Sequence, residues 1–122
     1  MTVGKSSRLD LLLEGSEGPC YVEVKNVTLV KNRVALFPDA VTSRGQKHLA
    51  DLQNLAAHGH RAVIFFAVQR GDAKTFAPAD AIDPAYGRRL RRVVSRGVEA
   101  LAYCASMSPG EVRLNKRLPV RL

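Results

Sequence analysis

The chain of 122 residues has few cysteines, no tryptophan and no long hydrophobic segment. Its two cysteines, Cys20 and Cys104, form no Cys-x-x-Cys motif, so we expect reduced thiols and no disulfide framework or structural zinc site. No apolar run approaches the roughly 18 residues needed to span a bilayer, and residues 1–5 lack the apolar segment of a signal peptide. These absences indicate a cytoplasmic protein with no membrane partner.

Acidic residues are scarce toward the C-terminus, and the formal net charge is +8. Residues 1–86 contain ten Lys and Arg against nine Asp and Glu, whereas residues 87–122 contain nine against two. Such a basic region fits a polyanionic partner, with nucleic acid ahead of a membrane surface. The three Tyr and four Phe offer no obvious platform for stacking unpaired bases.

Hydrophobic periodicity predicts a single α/β domain over residues 1–122. Strands are expected at residues 8–13, 20–29, 62–68 and 98–104, with a last extended piece at residues 112–118. Helices are expected to begin near Ser43 and at Asp83-Pro84, and residues 31–41 and 70–82 are expected to form loops. The short link between the first two strands predicts an antiparallel hairpin, and crossover helices then produce a mixed sheet flanked by helices.

Asp10, Glu23 and Lys25 place two carboxylates and one ammonium on the two strands of this hairpin. Glu23 and Lys25 share a face because they are two residues apart, and opposed hairpin residues have Cβ atoms about 5 Å apart. The oxygens of Asp10 and Glu23 suit Mg²⁺ or Mn²⁺, and Lys25 would orient or help to deprotonate a water beside a phosphodiester. The alternative is an exposed Glu-x-Lys pair, with Asp10 paired to Arg8.

The start of the first helix combines a capping motif with basic residues. Ser43 and Gln46 fit the Ser-x-x-Gln capping box, with Ser43 as the N-cap. Gln46 is either the N3 residue of that box or a contact to substrate or to Lys25, and both interpretations stay open. Arg44 and Lys47 lie in the first turn, where the helix dipole disfavours basic residues and favours bound phosphate, so we expect them to contact phosphate.

Five arginines occupy the polar side of the second helix: Arg88, Arg89, Arg91, Arg92 and Arg96. This face is either solvated or a contact surface for the phosphate backbone, which positions nucleic acid without reading its sequence. His48, His58 and His60 lack the spacing of zinc ligands, so we expect no site role for them.

The first predicted strand has an uncovered edge and an uncovered apolar face, which native proteins usually avoid. Three alternatives are open for what covers it: residues 112–118, a partner such as a second copy of the chain, or additional N-terminal sequence.

Several segments resemble the sugar fermentation stimulation protein A family. They are residues 8–12, 20–29, 35–42, 44–49, 59–63, 69–70 and 82–84. The resemblance runs from about residue 6 to the C-terminus and rests on long motifs, such as Cys-Tyr-Val-Glu-Val-Lys-Asn-Val-Thr-Leu.

The resemblance implies a C-terminal domain similar to the PD-(D/E)xK nucleases, preceded in bacterial and archaeal members by an OB-like nucleic-acid-binding domain. It also implies DNA binding without sequence specificity and a link to genes of maltose and sugar utilisation. Asp10 matches the nuclease-like aspartate, Glu23 and Lys25 match the (D/E)xK pair, and Gln46 matches a helix position near the site. The OB-like domain, and the helix and strand that precede the aspartate in such nucleases, are absent from this chain. We therefore expect an N-terminally truncated nuclease-like domain.

Three functions follow as hypotheses. The first is sequence-nonspecific binding of DNA, with RNA left open, through Arg8, Arg44, Lys47, Arg88, Arg89 and Arg92. The second is a nuclease dependent on Mg²⁺ or Mn²⁺, with Lys25, Glu23, Asp10 and Gln46 as catalytic residues. The third is a non-catalytic module that docks a partner protein along its exposed first strand.

Overall fold

The computed structural model describes residues 11–15 and 18–122 of the chain. The strands are β1 (Leu11–Gly15), β2 (Gly18–Val27), β3 (Leu29–Lys31), β4 (Val34–Phe37), β5 (Arg61–Val68), β6 (Thr75–Pro78), β7 (Glu99–Ser108) and β8 (Glu111–Leu118). The helices are α1 (Ser43–Ala57) and α2 (Pro84–Ser95).

The main sheet has five strands in the order β1-β2-β5-β7-β8, and a second sheet has the order β3-β4-β6. In the main sheet β2, β5 and β7 run parallel, whereas the edge strands β1 and β8 pair antiparallel with their neighbours. The two crossovers through α1 and α2 step in the same direction across the sheet, so right-handed connections place both helices on one face. The predicted mixed sheet with flanking helices is confirmed.

The central strand β5 owes its position to an apolar composition on both faces. Its residues from Ala62 onward are buried except Phe65, which is partly buried. Such a continuous apolar run is typical of a parallel strand covered on both sides. Phe66 stacks on Phe76 of β6 with ring centroids 4.1 Å apart, which joins the small sheet to the main core.

One carboxylate joins the first turns of the two helices. Asp83 caps α2, because its Oδ1 accepts a hydrogen bond from the Tyr86 amide at 3.1 Å. Its Oδ2 accepts a second hydrogen bond, at 2.9 Å, from the amide of Thr42 at the start of α1. Asp83 is only 2% exposed; its bond to Tyr86 is buried and its bond to Thr42 is partly buried. The N-terminal ends of α1 and α2 are therefore held next to each other.

The N-cap of α1 is Thr42, and the prediction of Ser43 is wrong. Thr42 Oγ1 accepts a hydrogen bond from the Gly45 amide at 2.9 Å, and Ser43 is the first helical residue. Threonine and serine cap helices by the same hydroxyl chemistry, so adjacent candidates are not separated by sequence alone. Gln46 consequently lies one position beyond N3, and the capping-box interpretation of this residue is also wrong.

The two predicted loops each contain a strand. Residues 31–41 include β4, and residues 70–82 include β6. The predicted strand at residues 20–29 is also divided, between β2 and β3. Each missed strand has only four residues, too few for an alternating pattern to stand out.

The last strand, β8, pairs with β7 at the edge of the sheet opposite to β1. Residues 112–118 therefore do not cover the first strand, and this alternative is wrong. Cys20 and Cys104 are free thiols, as expected. Neither helix in the described part of the chain is long and apolar enough to cross a membrane.

Candidate functional site

The strand β2 brings Glu23 and Lys25 together on the face that carries the helices. Val27, on the same face of this strand, lies in the core beneath them. Glu23 is buried, at 3% exposure, although carboxylates are seldom buried without partners. Lys25 Nζ lies 3.4 Å from Glu23 Oε2. The alternative of an exposed Glu-x-Lys pair is therefore wrong for Glu23.

His48 of α1 contacts both of these residues, which its lack of zinc-ligand spacing did not indicate. Its Nδ1 lies 2.7 Å from Lys25 Nζ and 3.3 Å from Glu23 Oε2. His48 is itself buried, at 5% exposure. The sequence did contain a signal: at helical spacing, His48 falls on the same face as Gly45, Leu49 and Leu52, which are the other buried residues of α1.

Nδ1 of His48 is within reach of both Lys25 and Glu23. It accepts from the ammonium in the tautomer that carries its proton on Nε2, and it donates to Oε2 of Glu23 in the other tautomer. The ammonium of Lys25 lies opposite the carboxylate of Glu23. The pairing with Lys25 explains how Glu23 is buried beside His48, because an unpaired charge would be strongly destabilising there.

Tyr86 of α2 bounds the cluster on the side of the second helix. Its ring packs against Phe37 at 5.3 Å and against Gly45, where a Cβ would come within 3.1 Å of the ring. Burial raises the pKa of the Tyr86 hydroxyl, and the carboxylates of Glu23 and Asp83 raise it further. Among the described residues this buried hydroxyl has no hydrogen-bond partner. Tyr86 therefore stays neutral and lies in the electric field of Glu23.

Asp10, the predicted second carboxylate, lies outside the described residues, as does Arg8. Within residues 11–15 and 18–122, no group of three or more His, Cys, Asp or Glu is placed to hold a metal ion. Magnesium often takes only one or two protein carboxylates, with water and substrate phosphate as its other ligands. Glu23 fits that pattern as one ligand, and the pairing with Asp10 stays a prediction.

Gln46 faces a different surface from the cluster. It is two residues from His48, a rotation of about 200° around the helix. Gln46 lines a cleft of about 290 Å³ between the helices, together with Ala85, Arg88, Arg89 and Arg92. Its predicted catalytic role stays a prediction.

Arg44 and Lys47 are exposed in the first turns of α1. Of the predicted nucleic-acid contacts, the structure thus gathers three arginines with Gln46 at one cleft and leaves Arg44 and Lys47 on the adjoining surface of α1.

The comparisons with known proteins agree with this architecture. A family model described as the sugar fermentation stimulation protein RE domain matches residues 1–111. This chain belongs to the sugar fermentation stimulation protein family. A homologue of that name from Pelobacter propionicus is 66% identical over 119 residues, which cover 98% of this chain and 52% of the relative. A Geobacter sulfurreducens homologue is 65% identical over 117 residues, which cover 96% and 50%. The chain thus spans about half the length of the curated relatives it matches.

A solved structure, that of Pyrococcus furiosus SfsA in complex with Ca²⁺, is similar over the whole chain. Its TM-score is 0.86 at 35% sequence identity, and the match covers 53% of that protein. The family resemblance and the predicted mixed α/β fold are both confirmed by this agreement.

Proposed function

We propose that this domain binds DNA through its phosphate backbone, without reading sequence, on a nuclease-like scaffold. The observation that carries the proposal is a basic surface that extends from the first turns of α1 along the outer face of α2. Arg44, Lys47, Arg88, Arg89 and Arg92 form this surface. Among the described residues, no ion pair includes any of the five.

Some other arginines of the chain are held by carboxylates, whereas these five basic residues lie on adjoining helix surfaces without such a contact among the residues described. Arg61 contacts Glu99 at 2.7 Å, and Arg91 contacts Asp80 at 2.8 Å. A helix N-terminus favours anions, and guanidinium groups match phosphate oxygens in two-point contacts. The surface therefore has the charge and the donors for backbone phosphates. A role in regulating sugar utilisation, which the family resemblance implies, is part of the proposal at the level of the whole protein.

The test is the affinity for two duplex oligonucleotides of the same length and unrelated sequence, measured by fluorescence anisotropy at low salt. We expect dissociation constants that agree within about threefold, because contacts to phosphates carry no sequence information. A single-stranded DNA and an RNA of equal length define strandedness and sugar preference. A large preference for one duplex, or no binding to any of the four, contradicts the proposal.

Hydrolysis of a phosphodiester is a second candidate, favoured by the buried arrangement of Glu23, Lys25 and His48. Glu23, with Asp10, would hold Mg²⁺ or Mn²⁺, and the complex of Pyrococcus furiosus SfsA with Ca²⁺ shows that a relative accepts a divalent cation. A bound divalent cation would supply Lewis-acid activation and neutralise phosphate charge. Mg²⁺ and Mn²⁺ prefer hard oxygen ligands, which carboxylates provide.

Lys25 is the residue of this chain suited to meet the substrate. Its side chain is 16% exposed, more than that of Glu23 or His48, so it is the member of the cluster that solvent reaches most. Nδ1 of His48 and Oε2 of Glu23 both contact the ammonium. An ammonium fixed in this way can donate a hydrogen bond to a phosphate oxygen where charge develops. His48 would act by positioning Lys25.

Cleavage of DNA and RNA in Mg²⁺ or Mn²⁺ tests this second candidate. We expect cleavage by the unmodified chain and its loss in Glu23→Gln and in Lys25→Met. Glu99→Gln is the matched control, because Glu99 is a glutamate of the same sheet whose partner is the exposed Arg61. Equal residual cleavage in all four proteins would show a contaminant and reject a catalytic role for this site.

A further inference from the structure

Residues on the outer face of α2 line a cleft between the two helices. Ala85, Arg88, Arg89 and Arg92 are spaced three and four residues apart, so they share one face of the helix. The opposite face contains the buried residues Tyr86, Gly87, Leu90 and Val93. Gln46 of α1 lies opposite these residues and forms the other wall of a cleft of about 290 Å³.

We propose that this cleft is a discrete binding site for one phosphoryl group, distinct from the cluster of Glu23, Lys25 and His48. The inference deepens the proposed function and rests on it for the source of the phosphate, which is a nucleic-acid backbone. Gln46 is then a phosphate-binding residue.

The charge of the cleft selects an anion. Its lining contains three arginines and no carboxylate. In the described part of the chain, Arg88, Arg89 and Arg92 take part in no ion pair, whereas their neighbour Arg91 is held by both oxygens of Asp80 at 3.0 and 2.8 Å. Guanidinium groups gathered without counter-charges repel one another, and a bound anion removes that repulsion.

The backbone around the cleft favours the same ligand. Ala85 is the second residue of α2 and Gln46 the fourth of α1, so one end of the cleft lies beside the N-terminal ends of both helices, whereas Arg92 lies in the last turn of α2. Helix N-termini favour anions, and the carboxylate of Asp83 already accepts from one amide at each of these two ends. Asp83, which bonds to the first turns of both helices, keeps these two ends together.

The shape and chemistry of the lining favour a phosphoryl group over a base. No aromatic residue lines the cleft, so no stacking partner for a base is present there. Arginine donates two parallel hydrogen bonds to phosphate oxygens, and the Gln46 amide adds a neutral donor. These donors suit the several oxygens of one tetrahedral group.

NMR titration of the full chain tests the proposal, with inorganic phosphate, methyl phosphate and dimethyl phosphate as probes. Methyl phosphate represents a terminal phosphate and dimethyl phosphate an internal phosphodiester. We expect saturable shifts centred on the amides of Gln46, Ala85 and Arg89. The stronger of the two esters identifies which phosphate of a polynucleotide the cleft receives. Shifts that spread over the whole basic surface without saturation overturn the proposal.

Variants distinguish binding in the cleft from a general effect of net positive charge. The double variant Arg88→Gln/Arg89→Gln removes two arginines, and we expect at least about tenfold weaker binding of methyl phosphate, because hydrogen bonds between charged groups are the strong ones. Arg96→Gln is the matched control, since Arg96 caps the C-terminal end of α2 and does not line the cleft. Equal weakening in Arg96→Gln and in either single variant, Arg88→Gln or Arg89→Gln, overturns the proposal.

The same proteins distinguish this inference from the proposed function. Phosphate that saturates the cleft while a duplex oligonucleotide fails to bind supports the cleft and rejects the DNA-binding function. A duplex that binds with equal affinity to the unmodified chain and to the double variant supports the function and rejects the cleft as its phosphate site.

Discussion

Charged side chains are paired in the cluster of Glu23, Lys25 and His48, whereas most of those on the outer face of α2 are unpaired among the described residues. Glu23 and His48 are buried, Lys25 is partly buried, and the ammonium and carboxylate lie within 3.4 Å of each other. Arg88 and Arg92 lie on the surface one helical turn apart, and like charges at that spacing destabilise a helix by about 0.2–0.5 kcal/mol. Charge that is paired inside the domain holds Lys25 in place, whereas unpaired charge on the surface is available to an external anion. The following predictions test this division.

The largest effect is expected at Tyr86, which supports the cluster from α2. Tyr86→Ala should lower the free energy of unfolding by about 4 kcal/mol, because it empties a fully buried aromatic site. Tyr86→Phe should leave stability unchanged or raise it by up to about 1 kcal/mol, since it removes a buried hydroxyl that has no partner among the described residues. Urea denaturation measures both. A large loss in Tyr86→Phe would show that the hydroxyl does form a stabilising hydrogen bond.

Removing the carboxylate of the cluster is expected to be the next most damaging change. Glu23→Ala leaves Lys25 and His48 without their opposite charge, and breaking a buried pair in this way costs about 3 kcal/mol. Glu99→Ala, at an exposed ion pair of the same sheet, should cost less than about 1 kcal/mol. Equal losses in the two variants, measured by urea denaturation, would contradict the distinction between buried and exposed charge.

Asp83 holds the helix ends on which both regions depend. Asp83→Ala removes an N-cap and a second buried hydrogen bond, so we expect a loss of about 2 kcal/mol. Asp83→Asn retains an acceptor and should lose less. Thermal unfolding, followed by circular dichroism, compares the two variants. The idea of a shared cap fails if Asp83→Ala unfolds at the temperature of the unmodified chain.

Replacing an arginine of the cleft should change the affinity for DNA much more than the stability of the fold. Arg92→Gln is expected to change the free energy of unfolding by less than about 0.5 kcal/mol at low salt, because relief of repulsion along α2 is opposed by the loss of a cation from the last turn of the helix. The same change should weaken DNA binding and reduce the slope of log affinity against log salt by about 0.9. Arg96→Gln is the control for the binding measurement. A variant that loses stability without losing affinity would assign Arg92 a structural role.

The smallest effect is expected at the exposed pair of Asp80 and Arg91. The hydrogen bond from Arg91 lowers the pKa of Asp80, so this pair contributes stability above the ordinary carboxyl pKa of about 3.9. That contribution is lost as the pH falls through the lowered pKa of the folded state. Asp80→Asn should therefore cost about 0.5 kcal/mol or less at pH 7 and nothing at strongly acidic pH. A loss that is independent of pH would show that charge is not its source.

Long hydrophobic runs and clear alternation in the sequence predicted much of this fold. The features that were missed depend on contacts between segments that are distant in the sequence. The run from Ala62 to Val68 predicted the central strand, and alternation placed Glu23 and Lys25 on one face. His48 was missed because its role depends on which strand α1 crosses, and that pairing joins segments about two dozen residues apart. The second bond of Asp83, to Thr42, was missed for the same reason. The strands β4 and β6 are stabilised by each other, so their own residues carry little signal.

The affinity for a duplex oligonucleotide across a series of salt concentrations tests phosphate-driven binding most directly. We predict that log affinity falls linearly with log salt, with a slope of about 0.9 for each phosphate contacted, and that the slope is equal for two unrelated sequences. An affinity that does not change with salt, or no binding of DNA at low salt, would contradict it.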